Sequence, residues 1–398
     1  MRYLISGYYG ERNLGDEAIL AGILQEIRRC DLDAQFAVLS FDPADTRRRH
    51  GVEALSTSLR DPAALMRAMR AADLLVSGGG SFLHEADFAL HGRSFLLRDG
   101  RLRPVPYFLS VVLLAQRVGL PVMWYAQGLG PLHTASARRM VALAGSRSLV
   151  VTWRDPDSAR LAGEIGVRSP VQLVVPDPAY ALESLETSAA RRLLVESGLP
   201  AGVPFIAVCP RPWLGRMAYQ ETLIAALTAV ANRENLAVVM LPFQERLDAP
   251  LCRRIAADPR LAERAWVVAG IDDPRSLAGI LGQAVFSVPM RLHAGILSAA
   301  AGTPAVALDY DPKVRAFARQ TRQEAYSVTI DRMERTGGVR ALEDAMMATL
   351  RRAEDRRSRL ARLVLPLRRE AGRTARLAVQ LAELGGIPVG GTRTEAAR

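Results

Sequence analysis

Three cationic side chains in this sequence stand where an apolar strand pattern gives way to a helical one: Arg154 in TWRDPDS, His293 in PMRLHAG with Arg291 two residues before it, and Lys313 in DYDPKV. A guanidinium can hold a carboxylate or phosphate through two parallel hydrogen bonds, and an imidazole exchanges protons near neutrality. Of 52 lysines and arginines, Lys313 is the sole lysine. A compact ammonium can be driven to release its proton, whereas arginine keeps its charge at any physiological pH, so a lysine kept in such a composition suits a site that arginine cannot serve. Together the three describe a site for a small, multiply charged anion with acid/base help. The plainer readings are a chance survivor at Lys313, an ion pair of Arg154 with Asp155, and a structural histidine at 293.

Other strand ends carry polar and glycine-rich loops. GYYGERNLGDEAIL has Gly7, Gly10 and Gly15, but not the GxGxxG spacing, and Asp16 with Glu17 opens the following helix. Carboxylates there complement the helix dipole and repel a phosphate, so a dinucleotide site is rejected. Asp16 is read either as a helix cap or, with Asn13 and Glu17, as a hydrogen-bonding group for substrate hydroxyls. SGGGSF, with Ser77, Gly79 and Gly80, offers successive backbone N–H groups to an anion or a close approach to a sugar. Gln127 and Gly128 in AQGLGP serve a ligand or the backbone of a sharp turn. Arg211 in CPRPW, Phe243 and Gln244 in LPFQERLD, and Arg291 complete the residues assigned to substrate binding. GxSxG, HExxH, P-loop and CxxC patterns are missing from the sequence, and Cys30, Cys209 and Cys252 lie far apart. No metal and no organic cofactor is therefore expected.

These residues need elements to hold them. Short β-branched runs alternate with longer helical patterns, the signature of parallel sheets covered by helices on both faces. Candidate strands lie at 2–7, 34–41, 73–77, 121–127, 148–153 and 171–175. A second series starts with PFIAVCP at 204 and continues through LAVVMLPF, AWVVAG, AVFSVP and PAVALDY. The expected fold is α/β: two doubly wound, Rossmann-like domains over 1–185 and 200–350, hinged between Pro176 and Pro204, with ligands in a central cleft at the strand ends. The helical segment and tail over 351–398 are free to cross back to the first domain.

The net charge is +11, and residues 351–376 concentrate ten arginines against Glu354, Asp355 and Glu370. Beside the apolar stripe of Leu360, Leu363, Val364 and Leu367, this basic helix reads as a contact with an anionic membrane surface or as a solvated face whose leucines pack on the protein. No run approaches a membrane span and no signal-peptide pattern precedes the first strand, so the expected location is cytoplasmic, with peripheral contact at the inner face of the membrane. The positive charge lacks aromatic interleaving, which argues against nucleic acid.

Taken in order, GERNLGDEAIL, SGGGSF, AQGLGP, TWRDPDS, PDPA, PFQ and MRLHAGILSAAAGTPAVALDYDPKV resemble the bacterial polysaccharide pyruvyltransferase family, of the CsaB type, leaving the basic tail uncovered. The resemblance implies a GT-B-like fold and transfer of a pyruvyl group from phosphoenolpyruvate, as co-substrate, to a sugar as a cyclic ketal. For the CsaB type it implies an N-acetylmannosamine acceptor in a lipid-linked precursor of the secondary cell-wall polymer, a ketal that helps retain S-layer proteins. It carries the family's phosphoenolpyruvate-handling arginine, histidine and lysine onto Arg154, His293 and Lys313. GERN in the first loop and the tryptophan before Arg154 depart from the usual pattern and touch only sugar-site detail. The alternatives are a nucleotide-sugar glycosyltransferase of the same fold and a non-catalytic protein that binds wall polymer or membrane.

Overall fold

A computed structural model describes residues 1–57, 61–85, 96–98 and 101–385; the end of the basic tail, 386–398, lies outside the described residues. The chain forms two compact units, one of Met1–Tyr8, Leu24–Val175 and the stretch from Gly372 onward, the other of Tyr9–Ile23 and Pro176–Ala371.

In the first unit, strands β1 (Arg2–Ser6), β2 (Gln35–Ser40), β3 (Glu53–Ser56), β4 (Leu74–Leu83), β7 (Val122–Leu129), β8 (Val150–Trp153) and β9 (Val171–Val174) make one sheet in the order β3-β2-β1-β4-β7-β8-β9. Every pairing in it is parallel. The two-residue strands β5 (Leu97–Arg98) and β6 (Arg101–Leu102) form a separate antiparallel pair. β3 has no counterpart among the sequence expectations, because its four residues EALS are too short and too polar to stand out. Helices cover both faces, so β4 and β7 are buried along nearly their whole length, as parallel strands are. SGGGSF, read from sequence as a loop, lies inside β4, because its glycines let the strand run on in pairing with β7; the strand order reverses between β1 and β4, which puts it beside a topological switch point. Beneath it Trp124 and Trp153 meet edge to face at 5.7 Å.

The second unit is built on β10 (Phe205–Cys209), β11 (Ala237–Met240), β12 (Ala265–Val267) and β13 (Phe286–Pro289), ordered β12-β11-β10-β13 and again parallel. The run PAVALDY yields a shorter strand than its composition suggests: Ala305 makes one bridge to Ser287, and β14 (Leu308–Asp309) pairs with β15 (Val328–Thr329).

The units divide differently from the expected 1–185 and 200–350. The glycine turn and the first half of the helix Leu14–Cys30 belong to the second unit, because Leu14 N–H donates to the Phe243 carbonyl at 2.8 Å and Asn13 bridges Gln244. The whole hinge segment also joins the second unit: Leu185 N–H donates to the Arg275 carbonyl at 2.9 Å, and Ala190 is fully buried in that unit's core.

The basic C-terminal helix runs over Ala353–Glu383, and from Gly372 its residues belong to the first unit. Its apolar stripe is not a free face. Leu360 and Val364 are 2% and 3% exposed in the second unit's core, with Leu367 packed against it. Arg356 donates to the Ala305 carbonyl at 2.9 Å and Gln323 Oε1 at 2.7 Å, Arg368 to the Ala300 carbonyl at 2.7 Å, and Arg357 to the Val285 carbonyl at 3.2 Å. Of the two sequence readings of this helix, the structure supports the one in which its leucines pack on the protein. No helix among the described residues is long and apolar enough to cross a membrane.

Candidate functional site

In the second unit the helix Leu14–Cys30 and the helix Leu292–Ala300 bring their first turns together. Gly15 is what lets them meet: a Cβ there would lie 2.4 Å from His293 Nδ1. On its other edge the imidazole places Nε2 3.4 Å from Oδ2 of Asp177, a carboxylate only 2% exposed. Nε2 is itself buried and makes no hydrogen bond among the described residues, so at that separation the pair is an ion-pair contact rather than a hydrogen bond. Asp177 belongs to VPDPAY, where Oδ1 accepts from Ala179 N–H at 3.0 Å and fixes the carboxylate.

Asp16 is not the helix cap. That role falls to Asn13, whose Oδ1 accepts from Gly15 N–H at 3.1 Å, while its amide donates to Asp16 Oδ2 at 2.6 Å. Burial pushes the Asp16 carboxyl up from its ordinary 3.8 to about 6; His293 opposes the rise, Glu17 adds to it, and Lys313 and Arg291 oppose it. One carboxylate therefore senses all three cationic groups that the sequence singles out in this half of the chain. Glu17, fully buried, accepts from Gly10 N–H at 2.9 Å and so ties down the glycine turn.

Arg291 is committed elsewhere. Its Nε and Nη2 grip both oxygens of fully buried Asp248 at 3.0 and 2.6 Å, and the same carboxylate accepts from the amides of Phe243 and Gln244 at 3.2 and 3.0 Å. The Phe243 ring is 1% exposed in the core, so the PFQ segment contributes backbone rather than an aromatic surface. Gln244 Oε1 lies 3.5 Å from Arg291 Nη2. Lys313 sits in the first turn of the helix Pro312–Gln320, a third exposed, with its ammonium 3.7 Å from Asp311 Oδ2. Arg211 lies over the rings of Trp213 and Tyr310 at 5.2 and 5.1 Å and donates to the Tyr310 hydroxyl at 2.9 Å.

In the first unit the remaining residues gather around Gln127. Ala126 takes a left-handed conformation, φ 47°, held by Thr152 Oγ1, which accepts from its N–H at 2.7 Å. At the resulting shift in register fully buried Gln127 lies beside the glycines of β4, where its amide donates to the carbonyls of Gly80 at 3.1 Å and Gly128 at 2.8 Å. Its Oε1 has no partner among the described residues. Gly79 and Gly80 have φ of 53° and 104°, backbone that side chains with a Cβ rarely adopt. Arg154 is 8% exposed and donates to Ser81 Oγ, with Asp155 Oδ2 at 3.9 Å. Asp155 Oδ1 caps the next helix through Ser158 N–H at 2.7 Å. A Cβ on Gly128 would lie 2.8 Å from Arg154 Nη2, so this glycine is needed for the guanidinium to fit. Ser77 is 3% exposed and paired between Ser6 and Trp124, deep in the sheet.

The structure thus collects Asn13, Asp16, Glu17, His293, Arg291, Phe243 and Gln244 in the second unit, and Arg154, Gly80, Gln127 and Gly128 in the first. Sequence reasoning missed Asp177 and Ser81, although both lie inside motifs it quoted. It also missed the acid/base character of Asp16, since burial by non-local neighbours leaves no local signal.

A family model described as polysaccharide pyruvyl transferase matches residues 13–312, a span holding Asn13, Asp16, Arg154, Asp177 and His293 and ending one residue before Lys313. No curated protein sequence matches this chain. Among solved structures, the chain is similar to Anabaena HepE in complex with UDP-glucose, at 13% identity and a TM-score of 0.59 over 96% of this chain and 99% of that one. It is also similar to S. aureus MnaA in complex with UDP, at 10% identity and 0.60 over 90% and 91% of the two chains. A putative UDP-N-acetylglucosamine 2-epimerase from Listeria monocytogenes gives 10% identity and 0.62 over 94% and 93%. At such identities the likeness establishes the fold, which is GT-B-like.

Proposed function

The chain belongs to the polysaccharide pyruvyl transferase family, and on that premise we propose that it takes a pyruvyl group from phosphoenolpyruvate and closes it as a cyclic ketal on two hydroxyls of a sugar. We infer that the acceptor is N-acetylmannosamine in a lipid-linked precursor of a secondary cell-wall polymer, the ketal then serving to hold S-layer proteins. The acceptor reading rests on the CsaB-like motifs alone.

The observation that carries the reaction is the half-buried imidazole of His293 between Gly15 and Asp177, with Asp16 influenced by the same histidine and by Lys313. The chemistry asks for three proton movements. A proton added to the methylene carbon of the enol phosphate leaves an oxocarbenium-like centre. One sugar hydroxyl adds to it and gives up its proton, the bond from that carbon to the phosphate oxygen breaks and releases inorganic phosphate, and the second hydroxyl adds to the oxocarbenium-like centre so regenerated, closing the ring as it loses its proton. His293 accepts a hydroxyl proton, and Asp177 stabilises the imidazolium that results. Asp16, whose carboxyl holds a proton up to about pH 6, exchanges protons in the same pocket. Lys313 neutralises the departing phosphate, and Arg154 holds the carboxylate or phosphate of the donor. Arg291 acts through Asp248 to fix the PFQ segment.

Incubating the protein with phosphoenolpyruvate and a panel of N-acetylmannosamine acceptors, free and lipid-linked, tests the reading by the mass of the ketal product. Consumption of a nucleotide sugar without phosphoenolpyruvate would replace it with glycosyl transfer. The absence of turnover with either donor would replace it with a binding role.

A further inference from the structure

The arginines of the C-terminal helix have a second consequence. Beside the helix Ala353–Glu383 lies a cavity of about 350 Å³ lined by Arg322, Arg356, Arg359 and Arg362, with Tyr326 and Leu363 forming an apolar wall. None of its lining residues is acidic. Arg356 is 5% exposed, and its partners are all neutral: Thr349 Oγ1, the Ala305 carbonyl, Gln323 Oε1 and the face of Tyr326 at 3.7 Å. Burial pulls this guanidinium down to about 10, and no carboxylate pairs with it among the described residues. At the mouth, the side chains of Arg322 and Arg362 are exposed and make no hydrogen bond or ion pair among the described residues; Arg359 pairs with Asp355 at 3.1 Å. Arg322 is held in the left-handed region, φ 53°. A buried, uncompensated cation at the base of a cavity and two unpaired cations at its mouth favour a ligand of opposite charge.

We propose that this cavity is a binding site for a phosphate-bearing anion, separate from the site around His293 and independent of the reaction assigned to it. Its volume suits a small molecule or a headgroup, and the apolar wall suits an organic substituent on the phosphate. The phosphate can come from a free phosphorylated molecule or from an anionic lipid.

Calorimetric titration of the full chain with inorganic pyrophosphate, together with co-sedimentation on phosphatidylcholine vesicles with and without phosphatidylglycerol, separates the sources. Arg322→Ala/Arg362→Ala removes two exposed side chains, so its melting temperature should stay within about 2 °C of the parent. The double variant should weaken pyrophosphate binding about tenfold or more. Loss in the double variant of sedimentation that requires phosphatidylglycerol, with no pyrophosphate bound by the parent, would support the site and name a lipid headgroup as its ligand. Failure of the parent to bind either probe, or binding that the double variant leaves untouched, would overturn the site.

Discussion

Asp16 is the residue at which the physical reading of the structure departs furthest from that of the sequence. Its carboxyl is raised from 3.8 to about 6, so the folded chain binds that proton more tightly than the unfolded chain does. The stability that comes with the protonated form is complete below pH 3.8 and is lost as pH rises through about 6, leaving an ionised, half-buried carboxylate as a cost at neutral pH. Asp16→Asn does not titrate. Relative to the parent it should gain stability between pH 4.5 and pH 8, by about 2 kcal/mol in urea unfolding, while losing turnover. An equal stability difference at the two pH values would show that burial does not perturb Asp16. Lys313→Arg keeps the charge but changes its shape and removes its ability to release a proton, so turnover should fall sharply with the melting temperature unchanged. Normal turnover in that variant would make the chain's sole lysine a survivor of composition and leave the mechanism to His293 and Arg154.

The elements that carry these side chains were largely legible as sequence. Six of the seven strands of the first sheet fall where β-branched runs placed them: five are buried along most of their length and so almost wholly apolar, while the edge strand β9 is exposed and was legible from its valines and leucine alone. Illegible was anything decided by partners distant in sequence. Nothing local to GYYGERNLGDE says that its helix begins against the Phe243 carbonyl, nor that Gly15 is the surface on which His293 rests. Alanine at Gly15 would ordinarily favour the helix, but its Cβ would displace the imidazole. Gly15→Ala should therefore reduce kcat by about a hundredfold, a typical result of moving a reacting group by an ångström, with little loss of melting temperature. Wild-type kcat in Gly15→Ala would mean that His293 does not need this position to act. Arg291 gives the opposite lesson. From sequence it pairs naturally with His293, yet in the fold its fork is filled by Asp248, so proximity along a motif did not reveal its job.

Across the whole molecule, the partition into two units follows contacts rather than chain order, which is why boundaries drawn from strand periodicity missed both the glycine turn and the hinge. The basic C-terminal helix shows the same limit: its charge was plain in the sequence, but the burial of Leu360, Val364 and Arg356 depends on a core assembled far upstream. Ending the chain after Arg352 would remove those groups and expose their partners, so the truncated protein should aggregate or melt well below the parent, each buried leucine or valine being worth about 1.5–3 kcal/mol. Recovery of a monomer with the parent's melting temperature would show the helix to be dispensable. Whether His293 moves protons for phosphoenolpyruvate chemistry is decided by acceptor-dependent release of inorganic phosphate in the parent and in His293→Ala. The prediction is release only when both phosphoenolpyruvate and a sugar acceptor are present, reduced about 10²–10⁴-fold by the substitution. Phosphate release by His293→Ala at the parent's rate would contradict it.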